Sequence, residues 1–296
     1  MKSDHRISVV LPARNEARAL PDCLRGVRAV LPDCEIIVVD DGSTDETAAI
    51  AAGLGARVIS HPYSKGNGAA VKTGARAAHG SILVFMDADG QHRPEDIPRL
   101  LEKLEEGYDM AVGARGMKDH AGTHRGIANS VFNWLASWMV NHRVEDLTSG
   151  FRAVRAERFR RFLYLLPNSF SYPTTCTMSF FRAGFGVAYV PVSMPPRIGR
   201  SHIRPLRDGV RFILIIIKIG TLYSPLKLFL PVSGAFFATG LGYYFYTYAV
   251  SHRFTNMSAL LLTTAVLVFL IGIVAEQISA LLYKDSDSAD PRDPAA

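Results

Sequence analysis

The amino-acid sequence predicts an α/β protein: a doubly wound, mostly parallel sheet, followed by an interfacial helix and a two-helix transmembrane hairpin. Two observations predict this. Over the first 200 residues, short apolar runs alternate with stretches of helical periodicity. From about Phe212 to Tyr283 the chain is overwhelmingly apolar. The overall hydrophobic content of 48% is ordinary and hides that division.

Ile7–Leu11 is a β-rich apolar run closed by Pro12. Apolar positions at Ala17, Leu20, Leu24, Val27 and Leu31 recur three or four apart and predict a helix, with Asn15 or a near neighbour as its cap. Ile36–Val39 is apolar on both faces, as a buried parallel strand is. The run DDGSTDET then turns the chain into an Ala-rich helix over Thr44–Leu54. Arg57–Ser60 is a third strand, and the loop His61–Asn67 leads into a helix from Gly68 to His79. Ile82–Met86 is a fourth strand, ending at Asp87-Ala88-Asp89. Pro94 opens another helix, as proline does in a first turn, and Met110–Val112 is a fifth strand. Further on, Gly126–Asn141 reads as helix, Glu145–Ala153 as loop or short strand, Thr174–Gly184 as helix and Val187–Pro191 as strand.

Leu228–His252 carries no Asp, Glu, Lys or Arg, and neither does Met257–Ala275. At about 1.5 Å per residue, runs of this length cross roughly 30 Å of hydrocarbon. The connection Ser251–Asn256 is too short for a domain, so the pair reads as a helical hairpin with both ends on one side. Buried helices of a soluble protein are the competing reading. Tyr243, Tyr244, Tyr246 and Tyr248 cluster near one end of the first span, as in an aromatic belt. Upstream, Arg207–Leu222 mixes Arg207, Arg211 and Lys218 with isoleucines, a composition suited to an amphipathic helix in the interface or to partial burial against protein.

The formal charge of +6 is concentrated between Arg182 and Lys227. Basic residues just before apolar spans predict contact with anionic lipid and a cytosolic orientation. No aromatic-interleaved basic motif accompanies them, which argues against nucleic acid. Cys23, Cys34 and Cys176 form no CxxC or metal pattern, and the N-terminus carries no apolar signal segment, so a reducing cytosol is expected for the soluble part.

The strongest site signal is Asp87-Ala88-Asp89 with Gln91 at a strand end, the edge where open α/β sheets bind ligands. Residues i and i+2 of an extended chain share a side, so both carboxylates face one cation. Hard oxygen ligands suit Mg²⁺ or Mn²⁺, which also hold substrate phosphates. Asp40-Asp41-Gly42-Ser43 ends another strand, where two carboxylates can accept hydrogen bonds from a base N–H and a ribose hydroxyl, or cap the next helix. Pro12-Ala13-Arg14-Asn15-Glu16 places Arg14 and Glu16 on the same rim. Gly66-Asn67-Gly68 before a helix reads either as a diphosphate approach or as an ordinary turn. His92 is read as a solvated loop histidine in preference to a metal ligand, and Trp134 and Trp138 as core or membrane-surface packing.

LPARNEA, VVDDGSTDET, KGNGAAVKTG, FMDADGQHRPEDI and DLTSGFRA together resemble family 2 glycosyltransferases of the GT-A fold. They are most similar to the dolichyl-phosphate mannose synthase branch and its bacterial polyprenyl-phosphate relatives, over about Ile7 to Tyr283. The resemblance implies that Pro12, Arg14 and Glu16 frame a nucleotide-sugar, with Asp40 and Asp41 on its ribose and base and Gly66 and Ala88 in the same set. It gives Asp87, Asp89 and Gln91 as the metal set. Arg115, Arg125 and Ser130 would hold an acceptor phosphate, so that Asp89, Arg115 and Arg125 carry catalysis. Asp146–Gly150 fall where the acceptor-site loop lies. Arg197-Ile-Gly-Arg-Ser-His202 resembles a basic loop that closes over the diphosphate, with His202 at the usual lysine position. A histidine with a reference pKa of about 6.5 is mostly uncharged there at neutral pH.

The expected organisation is a cytosolic catalytic domain over residues 1–200, a juxtamembrane segment over 201–225, two transmembrane helices over 226–283 and a polar cytosolic tail over 284–296. The expected reaction is inverting, metal-dependent transfer of a hexose from GDP-mannose, a UDP-hexose or a UDP-N-acetylhexosamine to polyprenyl phosphate, in a cell membrane. A phosphate monoester is largely a dianion at pH 7, with a second pKa of about 6, and needs no protein base. No Ser-His-Asp set is evident, and no GxGxxG follows the first strand, which excludes a nicotinamide oxidoreductase. The alternatives are a family member with a polysaccharide acceptor and a nonenzymatic membrane scaffold. Packing of the hairpin between copies makes a homo-oligomer an open possibility.

Overall fold

The computed structural model describes residues 7–115, 133–169, 171–193 and 220–287, with side chains described to residue 281. Arg125, Ser130, Arg197 and His202 lie outside the described residues, as do most of the juxtamembrane segment and the end of the tail. The described residues form two compact units, one drawn from 1–138 and 142–200 and the other from 139–141 and 201–296.

In the first unit seven strands form one sheet: β1 (Ile7–Ala13), β2 (Glu35–Asp40), β3 (Arg57–Ser60), β4 (Ile82–Phe85), β5 (Met110–Arg115), β6 (Arg152–Arg155) and β7 (Val187–Val192). Their order is β3-β2-β1-β4-β6-β5-β7. Four of the six pairings are parallel; β6 runs antiparallel to both β4 and β5. β1, β2 and β4 are almost wholly buried runs of Val, Ile, Leu and Phe, because helices cover both faces of the sheet. Helix α1 (Leu20–Val30) buries Leu20, Cys23, Leu24 and Val27, spaced three and four apart, and α4 (Ile97–Glu105) buries Ile97, Leu100 and Leu104. Both join one core with Val9, Leu11, Val38 and Val84.

The expected strands all appear, and the helices differ mainly at their starts. Helix α1 is not capped by Asn15: its cap position is Ala19, with no side-chain bond. Asn15 instead adopts φ 57° and accepts the Thr44 N–H at 2.8 Å, tying two rim loops together. Helix α2 (Thr47–Gly53) starts three residues later than expected, because the preceding residues are spent in Asx turns: the Ser43 N–H donates to Asp40 Oδ1 and the Thr47 N–H to Asp45 Oδ1. Pro94 opens a 3₁₀ turn, Pro94–Asp96, ahead of α4. Of the helix expected over Gly126–Asn141, residues 133–140 are described and helical. Trp134 and Trp138 are 66% and 41% exposed, so neither is core.

Helix α3 (Asn67–Ala77) begins in a crevice that admits only glycine. At Gly68 a Cβ would overlap the Pro167 carbonyl oxygen, and at Gly66, whose φ is 101°, the Asn168 carbonyl oxygen. The close approach allows the Ala69 N–H to reach Asn168 O at 3.2 Å, while Lys72 Nζ donates to Leu166 O at 2.9 Å. The glycines of KGNG therefore dock a segment distant in sequence onto the start of α3.

In the second unit the helices Pro225–Ser251 and Asn256–Asp287 run antiparallel, and each is long and apolar enough to cross a membrane. Gly240 faces Leu261 and Leu262, Ser233 Oγ donates to Ala265 O at 2.8 Å, and Gly272 faces Phe229. The second helix runs past the uncharged stretch that ends at Ala275. Glu276 is accommodated because its Oε2 accepts the Leu226 N–H at 3.2 Å, one of the N–H groups that the first turn of the other helix leaves unpaired. At the same end Lys227 Nζ donates to Met139 O at 2.9 Å and Asn141 Oδ1 at 2.8 Å.

Two outcomes follow from this packing. Gly68→Ala should destabilise the protein by roughly 3 kcal/mol, because the added methyl meets backbone on α3's docking side, and should lower the melting temperature in detergent by several degrees. Glu35 ties β2 to α3. Burial pushes its carboxyl up, but hydrogen bonds from the His79 N–H, the Ser8 hydroxyl and the His79 ring outweigh that and hold it down to about 2, against an ordinary 4.5. A depressed folded pKa stabilises fully above the ordinary value and is lost as pH falls towards the folded one. Up to about 3 kcal/mol should therefore disappear between pH 5 and pH 2, and melting curves of Glu35→Gln should lack that part of the acid decline.

Candidate active site

The C-terminal ends of β1, β2 and β4 and the start of α3 enclose one cavity of about 380 Å³. β1 contributes Pro12 and Ala13, with Arg14 and Glu16 just beyond. Asp41 follows β2, Ser64, Gly66 and Asn67 come from the loop into α3, and Asp87, Ala88, Asp89 and Gln91 follow β4. The three motifs expected on one rim are thus brought together. Their loops are laced by side chain to backbone bonds: the Asn15 N–H donates to Ser43 Oγ at 3.0 Å, and the Glu16 N–H to Thr47 Oγ1 at 2.9 Å.

The two aspartates of DDGS have separate structural duties. Asp40 is buried, does not line the cavity, and accepts the Ser43 N–H at 3.0 Å. Asp41 takes four donors: His61 Nδ1 at 2.7 Å, Ser64 Oγ at 2.8 Å, and the Lys65 and Gly66 N–H groups at 2.8 and 2.9 Å. Burial raises its pKa, and these bonds more than reverse that, keeping it ionised below the usual range. Asp41 thereby shapes the loop that forms one wall of the cavity. His61, buried and held from the far side by Thr73 Oγ1 at 3.0 Å, completes the anchor.

The Asp87 N–H donates to His92 Nδ1 at 2.9 Å, and the His92 ring stacks on Phe151 with centroids 5.0 Å apart. His92 is only 6% exposed, so the expected solvated loop histidine is corrected: it is a buried strut that sets the backbone of Asp87. Asp89 Oδ1 accepts the Gln91 N–H at 3.1 Å, closing the turn. Behind it, burial together with the nearby charges of Asp89 and Asp87 pushes the Cys23 thiol up to about 12, so it stays protonated. Asn67 Nδ2 lies 3.5 Å from Asp87 Oδ1, and its own Oδ1 is buried without a partner.

This donor set fits a divalent cation. Two carboxylates and the Gln91 amide line the cavity, with the orphaned Asn67 oxygen beside them. Among the described residues no group of three or more His, Cys, Asp or Glu side chains is placed to hold a metal ion, so the oxygens available here are those of Asp87, Asp89, Gln91 and Asn67.

The fourth element of the rim comes from the reversed strand. Because β6 runs antiparallel, pairing Arg152 with Phe85 of β4 and Val112 of β5, the turn before β6 lies at the same edge as Asp87. Gly150 sits there, its Cβ position 3.3 Å from Asp87 Oδ2. Asp146, 3% exposed, accepts Arg115 Nε at 2.8 Å and Nη2 at 3.0 Å, as well as the Thr148 and Ser149 N–H groups. Burial raises the Asp146 pKa, and the Arg115 fork lowers it further the other way, so the pair is ionised. Arg115 is therefore committed through Nε and Nη2, while Nη1 makes no hydrogen bond to a described residue.

Asn67, His92, Asp146 and Arg152 are the residues to which sequence reasoning gave no role or only a loose one. The motifs KGNG and DLTSGFR flag three of them, but only the fold shows what each touches.

The family model for glycosyl transferase family 2 matches residues 8–183, and one for a GtrB C-terminal hairpin matches residues 224–281. The chain is 32% identical over 213 residues to the polyprenol monophosphomannose synthase of Mycolicibacterium smegmatis, covering 67% of this chain and 80% of that one. It is 31% identical to the undecaprenyl-phosphate mannosyltransferase of Micrococcus luteus, over 67% of this chain and 87% of the relative. Among solved structures, the fold matches glucosyl-3-phosphoglycerate synthase from Mycobacterium tuberculosis, in complex with Mn²⁺, UDP-glucose and phosphoglyceric acid. The TM-score is 0.59 at 26% identity, over 74% of this chain and 79% of that one. With its strand-end carboxylates, mixed sheet and apolar C-terminal hairpin, this chain belongs to glycosyl transferase family 2 and is a glycosyltransferase.

Proposed function

We propose that the protein transfers a hexose, with inversion, from a nucleotide-sugar to a polyprenyl phosphate at the cytosolic face of a cell membrane. The observation that carries this reading is one cavity, lined by Asp87 and Asp89, in a chain that also has two helices apolar enough to cross a bilayer. The two relatives named above, whose names specify polyprenol and undecaprenyl phosphate together with mannose, support the lipid acceptor and favour mannose as the sugar, for which GDP-mannose is the donor of this reading. A UDP-hexose or UDP-N-acetylhexosamine is the second donor class, as the UDP-glucose in the solved neighbour illustrates.

In this reading Pro12, Arg14, Glu16, Asp41, Gly66 and Ala88 frame the nucleotide-sugar, whereas Asp40, expected in the same set, is buried off the cavity and holds the turn behind it. Asp87, Asp89 and Gln91 hold Mg²⁺ or Mn²⁺, whose contribution when bound is to offset charge on the departing nucleoside diphosphate. Arg197 and His202, outside the described residues, supply basic groups for that diphosphate in the same reading. Arg115, aligned by Asp146, presents its uncommitted edge to the acceptor phosphate, with Arg125 and Ser130 completing the set. The acceptor is already a dianion, so the chain's task is to align it behind the anomeric carbon. In-line attack there inverts the centre.

Purified protein in detergent, given Mn²⁺ or Mg²⁺, polyprenyl phosphate and a panel of labelled nucleotide-sugars, should form a labelled glycolipid with one donor. No product from any donor would sink the reading. Asp89→Ala should lower turnover at least about 1000-fold, as should chelation of the metal, and only the chelated wild type should recover when Mn²⁺ is restored. Full activity in Asp89→Ala would remove that residue from the metal set.

A further inference from the structure

Arg152, the first residue of β6, has no solvent exposure. Its guanidinium donates only to neutral acceptors: Ser149 O, Pro173 O at 3.2 Å, Thr177 Oγ1 at 3.4 Å and Met110 Sδ at 3.8 Å. The Tyr172 ring centre lies 5.9 Å away, and Nε has no partner. Among the described residues no carboxylate pairs with it. An ion buried in this way carries an effective desolvation penalty of several kcal/mol, which neutral acceptors offset only in part. A lone buried cation is therefore weak as a stabilising element. Packing alone does not account for a guanidinium at this position.

What the guanidinium holds is the turn before β6. It grips the Ser149 carbonyl, and the Ser149 N–H donates to Asp146 Oδ1 at 3.1 Å. Asp146 in turn forks Arg115. One residue further on, Gly150 borders the Asp87 carboxylate, and Tyr172 Oη donates to Gly150 O at 3.5 Å. Phe151 then stacks on His92, which receives the Asp87 N–H. A single buried cation thus anchors a turn that touches both Arg115 and Asp87.

We propose that Arg152 is a positioning residue for glycosyl transfer: anchored on the Ser149 carbonyl, it fixes the 146–151 turn and so aligns Arg115 through Asp146 and confines Asp87 through Gly150. This rests on the reaction proposed above. Misplacement of a reacting group by about 1 Å costs on the order of 100-fold in rate, while Pro12, Arg14 and Glu16, which frame the donor nucleotide in that reading, come from β1 and the residues just beyond it and not from this turn.

The test compares wild type, Arg152→Met and Arg152→Lys in detergent, measuring melting temperature, kcat and the KM for nucleotide-sugar. Arg152→Met should remain folded, melting a few degrees below wild type because Ser149 O loses its donor, with kcat about 100-fold lower and donor KM within about threefold. Arg152→Lys, which keeps the charge and a donor for Ser149 O, should regain about tenfold of the loss. Wild-type kcat in a folded Arg152→Met protein overturns the proposal. Should Arg152→Met not fold, a folded Arg152→Lys with kcat lowered about tenfold at unchanged donor KM supports it, and wild-type kcat there overturns it. Failure of both variants to fold also overturns it, since Arg152 is then a stability element. A wild type inactive on every donor is a different result: it removes the underlying reaction and this proposal together.

Discussion

The organisation of the site depends on one strand running the wrong way. In a purely parallel sheet each strand delivers to the rim only the residues that follow it, here those after β1, β2 and β4. Inserting β6 antiparallel between β4 and β5 lets a segment that precedes a strand reach the same edge. That reversal places Gly150 against Asp87 and Asp146 beneath Arg115. Arg115, at the end of β5, and the carboxylates after β4 share one rim although nearly 30 residues separate Asp87 from Arg115 in sequence, and the reversed strand brings to them the residues that border both.

Around that edge several polar side chains hold backbone in place. Asp41 spends both oxygens on the 61–66 loop, Asn15 and Thr47 bind the neighbouring loops, and His92 fixes the Asp87 peptide. Charged and polar groups used in this way preorganise a site, so little reorganisation is left for the moment of reaction. The order is set by local polar bonds on top of a sheet whose own stability comes from the burial of β1, β2 and β4.

Much of this was legible in the sequence, for identifiable reasons. Buried parallel strands read as unbroken apolar runs, which is why Ile36–Val39 and Ile82–Met86 stand out, and a strand end carrying Asp87 and Asp89 is a short-range pattern. Strand direction is not a short-range property: Glu145–Ala153 gave no sign that β6 is reversed. Nor could Asp41's four donors be read, because they come from residues 20 to 25 positions away. His92 looked solvated because nothing beside it in sequence is the Phe151 ring that covers it. The apolar spans were evident, because runs without charge are read directly from the residues. The uncharged stretch ends at Ala275, inside the second helix, and the next residue, Glu276, has a backbone partner on the other helix.

That carboxylate-to-backbone bond bears on how the two helices come to lie together. A lone helix carrying Glu276 would bring an ionisable group towards hydrocarbon at a cost of about 2.5–3.5 kcal/mol near the bilayer centre, less towards its edge. The Leu226 N–H, unpaired in the first turn of its own helix, relieves both groups at once when the hairpin closes. Closure of the hairpin thus settles two polar groups with one bond, each helix supplying what the other lacks.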